Sequence, residues 1–159
     1  MDAAAASLEK RIDRFLAKYD ATIQKEAVAA RRILRKAMPT SVELVYDNYN
    51  ALVFAFGASE KASEIIVSIA LYPRWVTLFF LHGADLDDPD GLLEGTGKTI
   101  RGIRLVGGAK DLAKPAVRAL LSDAVRRATM PLSATTRGRT VVKSESPKKR
   151  PRTPAKKKS

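Results

Sequence analysis

The chain has 159 residues, 45% hydrophobic and 29% charged, which is enough for one domain with its own core. It has no Cys and a single His, which excludes a disulfide scaffold, a zinc finger, a thiol nucleophile and a multi-histidine metal site within the chain. Lys and Arg number 29 against 17 Asp and Glu, and this net charge of +12 points to an acidic partner.

The first residues combine Asp2 with four alanines and lack the basic and apolar regions of a signal peptide. The best apolar runs, residues 65–72 and 75–81, are shorter than the roughly 18 to 20 residues of a membrane helix. A soluble, cytoplasmic protein is therefore expected, without a membrane span.

Leu8, Ile12, Phe15, Leu16 and Tyr19 recur at helical spacing, with Ser7 placed to cap the start. Asp20 offers a second cap. Ile23, Ala27, Ala30, Ile33, Leu34 and Ala37 then extend a second stripe up to Pro39, which disfavours helix at Met38. The opposite face carries Lys25, Arg31, Arg32, Arg35 and Lys36, expected as a solvated basic face.

Strand signals follow at 42–46 and 51–56, joined by the turn-forming Asp47-Asn48-Tyr49-Asn50. Residues 64–72 and 75–81 are β-rich, and the short Pro73-Arg74 link predicts an antiparallel hairpin. Residues 99–106 are a fifth strand candidate, stopped by Gly107-Gly108, and 115–128 read as a last helix. Helices, then strands, then a helix predict an α+β fold over residues 8–130, with an antiparallel sheet packed against the N-terminal helix pair and the C-terminal helix.

The charge is concentrated at the end. Residues 137–159 hold ten Lys and Arg and one acid, Glu145, so this tail carries +9 of the +12. Past Leu132 the only sizeable aliphatics are Val141 and Val142, and Pro147, Pro151 and Pro154 favour extended backbone. Too little apolar surface is available to offset the ordering entropy, so the tail is expected to be disordered.

Its cations are Arg137, Arg139, Lys143, Lys148, Lys149, Arg150, Arg152, Lys156, Lys157 and Lys158. Ser146-Pro147-Lys148-Lys149 resembles the S/T-P-K-K units of linker-histone tails, and Thr153-Pro154-Ala155-Lys156 is a looser copy. An extended cationic chain can follow a phosphate backbone and gain affinity by counterion release. Non-specific nucleic-acid binding is the expectation, beside a solubility tail, an anionic membrane contact or a nuclear localisation signal.

Two other segments carry chemistry-bearing residues. Gly91 to Thr99 looks like a phosphate loop, but five residues rather than four precede Gly97-Lys98, and a strand rather than a helix follows. A weaker anion site remains in which Gly95 and Gly97 let backbone amides point inward and, together with Lys98, Arg101 and Arg104, hold a small anion, beside the plain reading of a loop that turns into a strand. Asp85, Asp87, Asp88, Asp90 and Glu94 form the one acidic cluster; they could offer hard oxygen ligands to a metal, or simply cap a turn at 91–93. His82 reads as a strand-end residue. Tyr46, Tyr49, Tyr72, Trp75, Phe54 and Phe56 read chiefly as core, since a near-neutral domain offers no electrostatic groove to a base-stacking platform. No nucleophile elbow or second His is present, no cofactor is called for, and a non-enzymatic binding module is expected.

Residues 45–54 (VYDNYNALVF), 71–78 (LYPRWVTL) and 93–98 (LEGTGK) with Arg101 and Arg104 resemble the YdhG-like domain family, a small, largely bacterial group of unknown function. The helix pair ending in Lys36-Ala37-Met38-Pro39 agrees. The resemblance covers roughly residues 8–130 and implies an α+β fold with helices on an antiparallel sheet. A pocket would be sought near Tyr46, Trp75, Lys98 and Arg101, which lie in or beside these segments. One branch is described as a frataxin-like iron chaperone, which implies, as the alternative function, metal binding at the Asp85–Glu94 carboxylates.

Overall fold

A computed structural model describes residues 3–154. Two helices open the chain, α1 (Ala3–Leu16) and α2 (Ala21–Ala37), followed by β1 (Val42–Asp47), β2 (Leu52–Gly57), β3 (Ile65–Leu71), β4 (Val76–Phe80) and β5 (Arg101–Arg104). Helix α3 (Pro115–Arg126) and a last strand, β6 (Arg139–Glu145), complete an α+β architecture. No described helix is long and apolar enough to cross a membrane.

The sheet order is β5-β4-β3-β2-β1-β6. The first five strands form an antiparallel meander: the first three connections are short enough to return the chain beside the strand it left, and the longer 81–100 segment returns it beside β4. The sixth strand is the exception in this mainly antiparallel sheet: β6 lies parallel to β1, pairing Leu44 with Val141 and Val45 with Val142. The tail expected to be disordered from 137 onward is thus folded through 139–145, and the chain stays docked as far as Arg152. The end of that call, residues 155–159, lies outside the described residues.

Backbone pairing explains this difference. Strand β1 would otherwise be an edge with unpaired N–H and C=O groups, and a partner strand needs few apolar residues to fill that ladder. Val142 joins the helix-side core and Val141 packs on the other face, so the tail's two aliphatics are both used. A register shift between Val45 and Tyr46 lets Ser144 and Glu145 continue the pairing to the end of β1.

All three helices cover one face of the sheet. Ile12 and Phe15 of α1, Ala30 and Leu34 of α2 and Leu120 of α3 meet Val45, Phe54, Ile69 and Leu78 in one core. Each such large side chain contributes roughly 1.5–3 kcal/mol by leaving water. Helix α1 already runs at Ala3, so Ser7 lies inside the helix and does not cap it. Asp20 occupies the N-cap position of α2 without a side-chain capping bond.

Two polar devices tie the layers. The Tyr19 hydroxyl accepts from the Leu52 amide at 3.1 Å and donates to the Leu71 carbonyl at 2.9 Å, fixing the α1–α2 corner to β2 and β3. Burial pushes this phenol's pKa up to about 12. Farther along, Arg31 donates through Nε and Nη2 to Glu43 at 2.7 and 2.8 Å, and Thr140 of β6 donates to the same carboxylate at 2.7 Å. Burial acts to lower the Arg31 pKa, and the hydrogen bond and charge of Glu43 more than reverse it.

Breaking this buried pair leaves the guanidinium only the more distant, partly exposed Glu9, 3.6 Å away, as a counter-charge. Glu43→Ala is expected to cost about 3–5 kcal/mol, measured by denaturant unfolding. The paired change Arg31→Met with Glu43→Leu should cost less than either single change, because it removes both charges together.

Candidate nucleic-acid interface

The docked tail is built around Asp47. This last residue of β1 is only 1% exposed. Arg152 Nη2 donates to its Oδ1 at 3.0 Å, and Lys149 Nζ stands 3.1 Å from Oδ2. Arg152 is itself buried, with its guanidinium 5.5 Å from the centre of the Tyr19 ring and a second hydrogen bond to the Asn48 carbonyl at 2.6 Å. Backbone bonds run alongside: Ser146 N to Asp47 O and Arg150 N to Tyr49 O, both 2.8 Å. The tail therefore clamps the β1–β2 turn. Burial acts to lower the Lys149 pKa, but the carboxylate of Asp47 raises it, whereas the neighbouring Lys18 is lowered by Lys149.

The ten tail cations divide by role. Lys149 and Arg152 are structural. Arg139 and Lys143 stand 3.3 and 3.9 Å from Glu60 on the sheet surface. Arg137, Lys148 and Arg150 are exposed and have no acidic partner among the described residues. Lys156, Lys157 and Lys158 lie outside the described residues.

Arg150 is held where aromatic side chains surface. Its guanidinium is 5.7 Å from the centre of the Tyr49 ring, and Tyr49 is 51% exposed. A cleft of about 620 Å³ beside it is lined by Asn50, Tyr72, Arg74, Trp75, Arg150 and Pro151. A second cleft of about 420 Å³ shares Tyr72 and Trp75 and continues over Thr77, Phe79, Glu94 and Arg104. The Arg104 guanidinium lies 3.8 Å from the centre of the Trp75 ring, and Tyr72 is tilted 45° against Trp75 at 6.3 Å. Of the six aromatics read as core, only Phe54 and Phe56 are buried; Tyr46, Tyr49, Tyr72 and Trp75 reach the surface.

The pocket sought near Tyr46, Trp75, Lys98 and Arg101 is not assembled. Tyr46, Val53, Ala70, Thr77 and Arg104 form one row across the sheet, so Tyr46 and Arg104 are separated by four strand spacings, about 19 Å. Arg101 and Arg104 are three residues apart on one strand and point to opposite faces. Lys98 is exposed. Arg101 Nη1 donates to the Ile100 carbonyl at 2.8 Å and the Gly97 carbonyl at 2.5 Å, so the loop turns carbonyls, not amides, toward this cation. Arg101, one of the cations expected to help hold an anion there, is thus engaged by the loop's own carbonyls.

The acidic segment behaves as a capped turn. Asp88 accepts from the Leu92 and Leu93 amides, both at 2.9 Å. Among the described residues no group of three or more His, Asp or Glu gathers to hold a metal, so Asp85, Asp87, Asp88, Asp90 and Glu94 are not brought together as ligands. His82 follows β4 as a strand-end residue and opens a short turn, its carbonyl accepting from the Asp85 amide at 3.1 Å.

Sequence reasoning missed Arg74 and Arg104 as partners of the aromatic surface. The period-two alternation of 99–106 does place Arg104 opposite Arg101, and a Trp adjoining a strand end was the available signal.

Two outcomes follow from the Asp47 clamp. Arg152→Met is expected to cost about 3 kcal/mol, the low end for breaking a buried pair because Lys149 still answers Asp47. Amide exchange should show residues 139–145 protected in the parent chain and unprotected in this variant. Glu145, 3.0 Å from Arg11, is held below its ordinary pKa of 4.5, first by the Arg11 hydrogen bond. Its stabilisation is present above about pH 4.5 and is lost as pH falls through the lowered pKa. Both side chains are about 40% exposed, so the effect should be about 0.5 kcal/mol or less. Unfolding midpoints of the parent and Glu145→Gln should differ near neutral pH and converge in acid.

Compared with protein-family models, with curated proteins and with solved structures, the chain matches none.

Proposed function

We propose that this chain is a cytoplasmic, non-enzymatic binding protein that engages nucleic acid without sequence preference through its basic tail. The observation that carries this reading is the course of the tail: it is anchored by Lys149 and Arg152, and between them it holds Arg150 exposed beside Tyr49 and the Arg74-lined cleft. Anchoring separates the cations that hold the fold from those that face solvent. Arg150 is then offered close to aromatic rings, with Lys148 two residues before it and Lys156, Lys157 and Lys158 adding charge farther along the sequence; cations beside aromatic rings are the combination that binds phosphate backbones. The kinship to the YdhG-like domain family read from residues 45–54, 71–78 and 93–98 is part of this proposal and adds no chemistry to it.

Deleting residues 137–159 would test this poorly, because it also removes β6 and leaves Asp47 buried without a cation. A five-site variant, Lys148→Gln, Arg150→Gln, Lys156→Gln, Lys157→Gln and Lys158→Gln, keeps the clamp and removes five other positive charges of the tail. If the parent neutralises about five or six phosphates, its log affinity for duplex DNA should fall against log salt with a slope of roughly −5. The variant should bind at least tenfold more weakly at low salt, with a slope near about −1. Equal affinity, or a parent slope near zero, overturns the proposal.

A further inference from the structure

We propose that the Trp75–Arg104 stack is a base-stacking site that makes this surface favour single-stranded over duplex nucleic acid; this rests on the nucleic-acid reading above and names its substrate class. Trp75 is the only tryptophan in the chain, and it is not used by the core. It lies before β4, half-buried, with an exposed arginine covering one face of the indole. Nothing acidic is paired with that arginine among the described residues, and its guanidinium carbon lies over the indole, 3.8 Å from the ring centre. A guanidinium seated over an indole and exposed to solvent has its outer side open, and nucleobases stack on arginine planes as they do on aromatic rings.

The surroundings fit a flat, uncharged ring. The cleft of about 420 Å³ is of ligand size, with Tyr72 and Phe79 as apolar walls. Gly102 keeps the floor low: a Cβ there would come within 2.9 Å of the Phe79 ring. The Glu94 carboxylate in the same cleft repels phosphate. In that cleft Glu94 balances Arg104, whereas across the Tyr72–Trp75 partition the neighbouring cleft carries Arg74 and Arg150 and no acid. A strand entering this surface is therefore directed with a base over Arg104 and its phosphates toward Arg74 and Arg150. Bases inside a duplex are already stacked on each other and have no free face to give, whereas every unpaired base has one.

The test uses the full chain, a mixed-sequence single-stranded 12-mer and its duplex, read by Trp75 emission and by binding at matched salt. The single strand should quench Trp75 and bind roughly tenfold or more tightly than the duplex, which should leave the emission nearly unchanged. Trp75→Leu should abolish the single-strand preference while keeping the salt slope that the tail supplies. Arg104→Gln changes an exposed side chain, retains the fluorophore and should weaken both the quench and the preference. Binding of both probes with unchanged emission, together with an unchanged preference in Arg104→Gln, overturns the stacking site and leaves the tail reading standing. Quenching by the single strand that persists at full affinity in the five-site tail variant overturns the tail reading and leaves the stacking site. If neither probe binds, both fall.

Discussion

A carboxylate removed from water needs cations near it, and Asp47 receives both of its cations from the far end of the chain. Its burial at the end of β1 would be costly if unanswered. Lys149 and Arg152 answer it from more than a hundred residues away, and Tyr19 covers Arg152 from the helix side. Docking of the last segment depends on this contact. The same segment supplies β6, closes the exposed edge of β1 and brings Thr140 to the Arg31–Glu43 pair.

The clamp also decides what the remaining positive charge can do. A free tail would spread its cations over a large volume, with an entropic cost each time it met a ligand. With two cations fixed inside the fold, Arg150 between them starts from a defined place. That place is the end of the sheet where Tyr49, Tyr72 and Trp75 surface. Electrostatic attraction and flat aromatic area, each common on its own, thus occur side by side.

The two faces of the sheet have different tasks. One is filled by helices and by large residues such as Phe54, Phe56 and Phe80. On the other, small residues occupy the middle: Ala55 stands between Leu44 and Ser68, and Ala70 between Val53 and Thr77. No helix covers this face among the described residues, and it leads at its β4–β5 side into the Trp75–Arg104 cleft.

Much of the fold was legible in sequence because its signals are local. The stripe Ile12, Phe15, Leu16 and the stripe Ile23, Ala27, Ala30, Leu34 each carry a helical period, and the Pro73-Arg74 link leaves room only for a tight return. The α+β class, the helix pair, the five strands before the last helix and that helix itself follow from such spacing. Asp88 as a capping residue was readable in the same way. The fate of the tail was not, because the apolar content that argued for disorder is a property of the segment alone, whereas its order comes from partners elsewhere: the open edge of β1 and the buried charge of Asp47. The site was hidden for the same reason. Composition assigned the tail its charge and the domain its near-neutrality, and only the tertiary structure put Arg150 beside Tyr49 and turned Arg104 onto Trp75, since contacts between distant residues leave no period in the sequence.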